Sequence, residues 1–378
     1  PGAEAYIMEA LEWLGIAPEE TVGKNEKFGP YRQSDRKEIY QKYADQLIQS
    51  GWAYYAFDTP EALDAHRKQH EAEGKTFIYN HHNREKLDTS LVISTDEAAS
   101  RIANGEHYVI RFKTPVDETL HLKDIIRGDV KFETNLLDDK VLFKSDGMPT
   151  YHLANIVDDH LMETSHVIRG EEWLPSMPLH VLLYRAFGWD APEFAHLPLI
   201  LKPVGNGKLS KRDGDKLGFP VFPLEWKTEE GISSGYREKG FFPEAVVNFL
   251  ALLGWNDGTD KEIFSLEELI ASFDLNRVHK AGAKFDPEKN KWFNHQHLIQ
   301  QNDADLAKSF SPILEEKGFS SFVSAQEDIA KLTRIVSLIK ERANFVSEFW
   351  DLTDFFFQAP TSYDEKASKN WKEETPAL

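Results

Sequence analysis

The strand-like segments of this sequence all lie before residue 201, whereas the hydrophobic spacing from Pro243 onward is that of helices. Helices are also predicted within residues 1–50, from Thr95 to Ala103 and from Pro178 to Phe187. Strand composition is found at Ala53 to Phe57, Thr76 to Tyr79, Tyr108 to Phe112, Val130 to Phe132, Val141 to Phe143, Asn155 to Val157 and His166 to Arg169. We therefore expect an α/β part that is followed by an all-α part.

The composition argues against several classes of protein. The 378 residues carry 44 Lys and Arg against 63 Asp and Glu, and the net charge of −19 argues against a protein that coats nucleic acid through its overall charge. A local basic groove remains compatible with an acidic body. There is no cysteine, so disulfides and thiolate metal sites are excluded, and no apolar run reaches the roughly 18–20 residues of a membrane span. We expect a cytoplasmic enzyme without a membrane segment.

The most specific motif is the glycine-flanked loop GNGKLSKR at residues 205–212. It is not a P-loop, because Lys202 occupies the position of the first glycine and Leu209 follows the Gly-Lys pair. Lys208 and Lys211 can place two ammonium groups around a triphosphate. Such cations lower the barrier when a carboxylate attacks the α-phosphorus and negative charge builds on the phosphoryl oxygens. Taken alone, a pentapeptide of this kind is more often a solvated basic loop.

The sequence KLSKR is similar to the KMSKS-type signature of class I aminoacyl-tRNA synthetases, in the form found in glutamyl-tRNA synthetases. Further stretches resemble segments of that family, in family order: PGAEAYIMEALEWLGI, GPYRQSDRKEIYQKYADQLIQSGWAYYAF, KSDGMPTYHLANIVDDHLMETSHVIRGEEWL, FFPEAVVNFLALLGW and KERANFVSEFWDLTDFFF. The resemblance covers essentially the whole chain. It implies an α/β fold with a Rossmann-like catalytic domain, which is split by an α+β insertion and followed by an all-α anticodon-binding region.

The resemblance also implies a division of the chain. The first and second halves of the catalytic domain are expected at residues 1–50 and 151–200, with an acceptor-end-binding insertion at 51–150 between them. Residues 201–286 are expected to carry the KLSKR loop and a stem-contact region, and residues 287–378 a helical anticodon-binding domain. We expect the first and the last of these parts to be incomplete.

Carried over position by position, the resemblance assigns Tyr151, Asn155 and Arg169 to the glutamate pocket, where Arg169 meets the side-chain carboxylate. Lys208 and Lys211 match the two catalytic lysines of the signature, and Lys211 is expected to contact ATP. The resemblance implies further ATP-binding positions at Glu172, Trp173, Ile200 and Leu201. The last two of these are expected to act through backbone groups that face the adenine.

The chemistry of Arg169 supports its assignment independently of the resemblance. A guanidinium binds a carboxylate bidentately and does not lose its charge. Glutamine would instead turn an amide NH2 toward that cation and leave a buried charge poorly paired, which gives strong selection. The alternative is an arginine that pairs on the surface with Glu171 or Asp158.

A second group of side chains, with donor atoms suited to a divalent metal, comprises His152, Asp158, Asp159, His160 and His166. We disfavour a metal site there, because no His-Glu-x-x-His pattern is present and an adenylate pocket explains the same tract better. Mg²⁺ is expected to arrive with ATP. Some members of the family hold zinc in the insertion through cysteines, and this chain has Tyr-Ala-Phe-Asp at residues 55–58, so no zinc is expected.

One signature of the family is missing from the sequence. Class I synthetases carry a His-x-Gly-His tetrapeptide near the N-terminus, and no such tetrapeptide occurs in this chain. We expect it to lie upstream of Pro1, so that the chain is a piece of a longer protein, shortened at its C-terminus as well. A polypeptide that really began at Pro1 is expected to be inactive in aminoacylation.

The function that the resemblance implies is the ATP-dependent ligation of L-glutamate to tRNA(Glu) through a glutamyl-adenylate. We expect a monomer. The alternatives are a non-catalytic tRNA-binding paralogue, an enzyme that transfers glutamate to a modified tRNA base, and a nucleotidyltransferase of small metabolites. The second is disfavoured because a long segment follows Arg212, enough for an anticodon module. Charging of tRNA(Gln) is left open by the sequence.

Overall fold

The computed structural model describes residues 2–229, 231–323 and 325–359, and of Lys211 it describes the backbone only. The chain divides into two compact units. The sheet unit comprises Pro18–Leu199 and Asp274–Gly282, and the helical unit comprises Pro1–Ala17, Ile200–Phe273 and Ala283–Leu378. Within the described ranges, no helix combines the length and the apolar character that crossing a membrane requires.

The predicted change from mixed to helical structure is visible in the element order. The α-helices are α1 Ala3–Trp13, α2 Lys37–Gln49, α3 Pro60–Ala72, α4 Thr95–Ala103, α5 Tyr151–Leu161, α6 Met177–Phe187, α7 Lys211–Leu217, α8 Pro243–Ala251, α9 Leu266–Ser272, α10 Pro287–Gln300, α11 Asp303–Glu316, α12 Gln326–Ile339 and α13 Phe349–Thr353. The strands are β1 Ala53–Ala56, β2 Val109–Phe112, β3 Thr119–Asp124, β4 Gly128–Glu133, β5 Val141–Phe143, β6 His166–Gly170, β7 Glu193–Leu197, β8 Ile200–Leu201, β9 Trp226–Thr228, β10 Gly231–Ser233 and β11 Ala283–Lys284. Strands β3, β7 and β8 to β11 were not predicted from the sequence.

The sheet unit contains two sheets that differ in strand direction. One is antiparallel, with the order β1-β2-β5. The other has the order β4-β3-β7-β6, in which β3, β7 and β6 are parallel and β4 is antiparallel to β3. Segment 51–150, which the sequence predicts as an insertion, contributes strands to both sheets. The parallel strands β6 and β7 end at one edge, which is where ligands bind in α/β sheets.

Helices α2, α5 and α6 pack on the sheets through one apolar core. In α2 the buried side chains include Tyr40 and Leu47, and in α6 they include Leu182 and Leu183. Burial of a side chain of this size contributes about 1.5–3 kcal/mol. The core therefore fixes α5 and α6, and with them the polar side chains that these helices carry.

The strand predicted from Asn155 to Val157 is wrong, because these residues lie inside helix α5. The β-branched pair Ile156 and Val157 favoured a strand, but the buried positions also include Leu153 and Ala154. This i, i+1, i+3, i+4 spacing is that of a helix face. Since residues four apart share a face of a helix, Tyr151 and Asn155 project on the same side of α5.

The helix predicted from Thr95 to Ala103 is confirmed with the same bounds, and the helix predicted from Pro178 to Phe187 is confirmed within α6. The strand predicted from Thr76 to Tyr79 is wrong, because these residues pair with no strand. Their side chains are held otherwise: the Tyr79 hydroxyl donates to Asp58 at 2.7 Å and the Phe77 ring contacts His70. Strand composition there reflects aromatic packing.

The helical unit is built on two apolar cores. Its short strand β8 pairs in parallel with β11. Helix α9 begins at a capping box in which Ser265 accepts from the Glu268 amide and the Glu268 carboxylate accepts from the Ser265 amide. From α10 to α13 the helices pack on one another, with Phe310, Leu332 and Phe349 among the buried side chains.

Candidate active site

Arg169 lies near the carboxyl end of β6, opposite His196 of the parallel strand β7. The side chains follow this register, since Arg169 Nε donates to His196 Nε2 at 3.0 Å. The other ring nitrogen of His196 lies 2.6 Å from Asp124 Oδ2, and the His196 amide also donates to Asp124. Strands β3, β7 and β6 thus contribute one residue each to a polar row across the sheet.

A second histidine reaches Arg169 from helix α6. Arg169 Nη1 lies 3.1 Å from His180 Nδ1, and His180 Nε2 lies 3.0 Å from His152 Nδ1 of helix α5. His180 and His196 are both fully buried. The contacts join Asp124, His196, Arg169, His180 and His152 into a continuous row of hydrogen-bonded side chains, which we call the arginine–histidine row.

The charges of this row follow from its burial. Burial raises the pKa of Asp124, but hydrogen bonds from the His196 ring and from the amides of Arg127 and His196 outweigh it, so that the pKa is lowered and the group is a carboxylate. Burial and the nearby Arg169 guanidinium hold the pKa of His180 well below its ordinary value. Burial, with a smaller contribution from Lys140, also lowers the pKa of His152.

Three buried polar atoms around the row have no hydrogen-bond partner among the described residues: Arg169 Nη2, Asn155 Oδ1 and Tyr184 Oη. Asn155 donates through Nδ2 to Asp159, whose pKa is raised to about 6 by burial in spite of this bond and of the Arg169 charge. Burial, and then the Asp159 carboxylate, raises the pKa of Tyr184. Buried polar atoms normally find partners, so this cluster is suited to a polar ligand.

Tyr151 and Trp173 form an exposed aromatic pair, with ring centroids 4.5 Å apart. The carboxylate of Glu172 packs against the backbone of Gly170, where a Cβ would lie 2.0 Å from Glu172 Oε2. A side chain at position 170 would therefore displace Glu172. The neighbouring Glu171 accepts from the Leu199 amide at 3.2 Å and pairs with Arg127 at 2.7 Å.

The KLSKR loop belongs to the helical unit, where backbone hydrogen bonds hold it. Leu209 N donates to the Ile200 carbonyl at 2.8 Å, and Phe285 N donates to the Leu201 carbonyl at 3.0 Å. Ser210 caps α7 together with Asp213, whose carboxylate also pairs with Lys202 at 2.9 Å. Hydrogen bonds from Ser210, and then from Lys202, lower the pKa of Asp213 to about 2. The backbone of Lys208 forms an isolated antiparallel β-bridge with that of Leu201. The side chain of Lys211 lies outside the described atoms.

The five side chains weighed as a metal site point to different partners. Asp158 accepts from Arg36 at 2.8 Å and His160 stacks on Trp189 with ring centroids 3.7 Å apart. His166 contacts Ser165 and Glu193, while Asp159 and His152 have the partners given above. In the described part of the chain, no group of three or more His, Asp or Glu side chains is arranged to hold a metal ion.

The family described as tRNA synthetases class I (E and Q), catalytic domain, matches residues 1–292, and an anticodon binding domain matches residues 304–378. The glutamate–tRNA ligase of Flavobacterium johnsoniae is 92% identical over the whole chain, which covers 74% of that protein. The chain belongs to the glutamate–tRNA ligase family. Another glutamate–tRNA ligase, from Flavobacterium psychrophilum, is 76% identical with the same coverage.

Solved structures of glutamate–tRNA ligases share the fold. The crystal structure of the enzyme from Elizabethkingia meningosepticum in complex with its amino acid has a TM-score of 0.93 and 53% identity, covering 100% of this chain and 74% of that one. The structure from Elizabethkingia anophelis has a TM-score of 0.91 and 53% identity, covering 98% and 74%. The predicted fold class, a class I catalytic domain followed by an anticodon-binding region, is confirmed.

The structure brings Arg169 and Asn155 of the predicted glutamate pocket to the cluster of unpaired polar atoms, and places Tyr151 beside Trp173. Asp124, His180 and His196 were not among the site residues predicted from the sequence. The available signal was weak: each histidine interrupts an apolar run, MPLHVLL and FAHLPL. A histidine inside such a run needs a buried hydrogen-bond partner, but the run does not identify the partner.

Proposed function

We propose that this chain carries the glutamate- and ATP-handling residues of an enzyme that ligates L-glutamate to tRNA(Glu). The relatives that it matches over its whole length are glutamate–tRNA ligases. The observation that carries the proposal is that Arg169 donates to two histidine rings and to no carboxylate among the described residues, while its buried Nη2 has no hydrogen-bond partner there. A guanidinium in this state suits the side-chain carboxylate of glutamate.

The reaction proceeds in two steps. An oxygen of the glutamate α-carboxylate attacks the α-phosphorus of ATP, the bond to the β-phosphate oxygen breaks, and pyrophosphate leaves. A terminal ribose hydroxyl of the tRNA then attacks the carbonyl carbon of the glutamyl-adenylate, loses its proton and releases AMP. Negative charge grows on the phosphoryl oxygens in the first step, and cations held near them lower its barrier.

The residue roles are part of the proposal. Arg169 binds the glutamate side-chain carboxylate, with Tyr151 and Asn155 lining the pocket. Glu172 and Trp173 lie beside ATP, and the backbone of Ile200 and Leu201 faces the adenine. Each of those two carbonyls already accepts one bond, so the adenine uses their second lone pairs or their amides. The catalytic lysines are Lys208 and Lys211.

Four further properties belong to the same proposal. Mg²⁺ enters with ATP as its counter-ion, because hard oxygen donors such as phosphates suit it. No zinc is bound, since the chain has no cysteine at residues 55–58 or elsewhere. The enzyme is a cytoplasmic monomer. We keep the predicted division of the chain: catalytic halves at 1–50 and 151–200, an acceptor-end insertion at 51–150, a loop and stem region at 201–286 and an anticodon domain at 287–378.

Charging of tRNA with labelled glutamate by the complete protein tests the function. We expect ATP-dependent formation of glutamyl-tRNA, with glutamine and aspartate as amino-acid controls that are not charged. Lys208→Ala and Lys211→Ala are each expected to lower kcat/KM for ATP by about a hundredfold while leaving KM for glutamate nearly unchanged. Binding of tRNA without any charging would instead support a non-catalytic paralogue.

A further inference from the structure

The guanidinium of Arg169 is held by imidazoles instead of carboxylates. Nε donates to His196 and Nη1 to His180, and within the described residues Arg169 forms no ion pair. The partly buried Arg169 differs in this from two buried arginines of the sheet unit: Arg36 lies 2.8 Å from a carboxylate oxygen of Asp158, and Arg84 lies 3.2 Å from one of Asp139. The partners of Arg169 therefore need their own explanation.

The protonation state of both histidines follows from Arg169, which has donors and no acceptor. His196 Nε2 accepts from Arg169, so its proton is on Nδ1, which donates to the Asp124 carboxylate. His180 Nδ1 accepts from Arg169, so its proton is on Nε2, which donates to His152 Nδ1. Both rings are therefore neutral, each in a single tautomer.

The outer members of the row fix the inner ones. Asp124, which is 1% exposed, holds the His196 ring and backbone together, and His152 holds the far side of His180. Two of the Arg169 nitrogens are thereby fixed in direction, and Nη2 has no hydrogen-bond partner among the residues that the structure describes. The only carboxylate of the row is separated from the guanidinium by a neutral ring, so the positive charge is not cancelled by direct contact.

We infer that His180 and His196 are positioning residues, which orient Arg169 through neutral acceptors and so keep its charge for the side-chain carboxylate of the substrate. This inference rests on the proposed function and explains how the site favours glutamate over glutamine. An acidic residue at either position would pair with Arg169 itself. Glutamate would then have to displace an internal carboxylate from Arg169, while glutamine would lose less binding free energy.

Position 180 allows a test with two variants that differ in charge alone. In His180→Asn the side-chain oxygen takes the place of Nδ1 as a neutral acceptor, and in His180→Asp a carboxylate oxygen takes it. We expect the glutamate KM of the complete protein to stay within about threefold for Asn and to rise at least about thirtyfold for Asp. The KM for ATP should stay within about twofold in both. The preference for glutamate over glutamine in kcat/KM should fall about tenfold in the Asp variant only.

The pair His196→Gln and His196→Glu repeats the comparison from strand β7, with the oxygen now at the place of Nε2. Equal glutamate KM values within both pairs of variants would overturn the inference. It would also be overturned if the two variants of a pair lost kcat and melting temperature equally while the glutamate KM stayed unchanged, because that result indicates a packing role. Nitrogen-15 NMR of the unaltered protein adds a measurement that no folding defect can affect. If this measurement showed a doubly protonated His180 ring at neutral pH, the inference would also be overturned. If the unaltered protein does not charge tRNA with glutamate, the proposed function itself fails.

Discussion

Arg169 and Arg84 lie in the same unit, but the fold treats their charges in opposite ways. Arg84 donates from Nη1 to the Thr114 carbonyl at 3.0 Å and pairs with Asp139, whose side chain is fully buried. Arg169 donates to neutral rings instead. Each of the two arginines also has one buried side-chain nitrogen without a hydrogen-bond partner among the described residues, Arg84 Nε and Arg169 Nη2. The comparison teaches that the charge of an arginine's acceptors, more than the presence of an unpaired nitrogen, indicates whether its own charge serves the fold or a ligand.

The Asp139 site shows what a neutralised charge requires. Besides Arg84, the carboxylate accepts from the Tyr54 hydroxyl at 2.7 Å and from the Thr114 amide at 3.1 Å. Burial, and then the Asp139 carboxylate, raises the pKa of Tyr54. Networks in which several donors surround a buried carboxylate stabilise a fold, and the loss of one member leaves the others with a desolvated charge.

The largest expected effect is that of Arg169→Ala on catalysis. Loss of the cation should lower kcat/KM for glutamate by about a thousandfold, because the substrate carboxylate loses its charge partner. The fold should suffer less, since Arg169 donates to histidine rings and its loss leaves no carboxylate without a directly paired cation. Aminoacylation kinetics and thermal unfolding measure the two effects. An unchanged KM for glutamate would refute the pocket assignment.

Arg84→Ala should show the opposite pattern, with a large loss of stability and an unchanged KM for glutamate. It leaves the Asp139 carboxylate buried without its cation, which typically costs about 3–5 kcal/mol of unfolding free energy. The glutamate KM of the folded protein should not change. Denaturant titration of this variant beside Arg169→Ala provides the measurement. The comparison breaks if Arg84→Ala is the more stable of the two.

Tyr54→Phe sharpens the comparison within the neutralised sites. It removes one hydrogen bond from the buried Asp139 carboxylate, and we expect a loss of about 1.5–3 kcal/mol. The matched control is Tyr40→Phe, which removes the 2.9 Å bond to Asp158. Asp158 is 13% exposed, so water can replace the hydroxyl and the loss should be about 1 kcal/mol or less. Equal losses by denaturant titration would contradict this account.

The smallest effect is a pH dependence to which the arginine–histidine row contributes. Burial, with the Arg169 charge, lowers the pKa of His180 in the folded chain, so below about pH 6.5 the unfolded chain binds the extra proton. Stability should therefore fall on acidification, by about 1.4 kcal/mol per pH unit for this histidine. His152 adds a contribution of the same sign from its own lowered pKa.

Asp159 acts in the opposite direction, since its pKa is raised to about 6 by burial and the folded chain binds the extra proton below that value. Both proteins share this term, so it cancels in a comparison of the unaltered chain with His180→Asn. Unfolding free energies between about pH 6.5 and 5.5 should fall less steeply in the variant. Parallel slopes would show that His180 is not kept neutral by the fold.

Sequence patterns located most elements, but they missed strands β3 and β7 and gave strands at residues 76–79 and 155–157 that the structure does not have. Helix α4 has the predicted bounds, and the Ser94 side chain caps its first turn. Residues 155–157 were predicted as a strand because Ile156 and Val157 are β-branched, although packing of α5 against α6 decides for a helix. Local propensity is a weak prior that tertiary contacts override.

The sequence by itself determined the order of α/β and helical parts, the family, and the residue types that handle a carboxylate and a triphosphate. These depend on local spacing and on short motifs such as KLSKR, which are read along the chain. Only the tertiary structure decided which groups surround Arg169, because Asp124, His196 and His180 come from three separate elements. Side-chain contacts between distant segments arise from strand register and helix packing, and the periodic pattern of one segment does not identify the segment that it contacts.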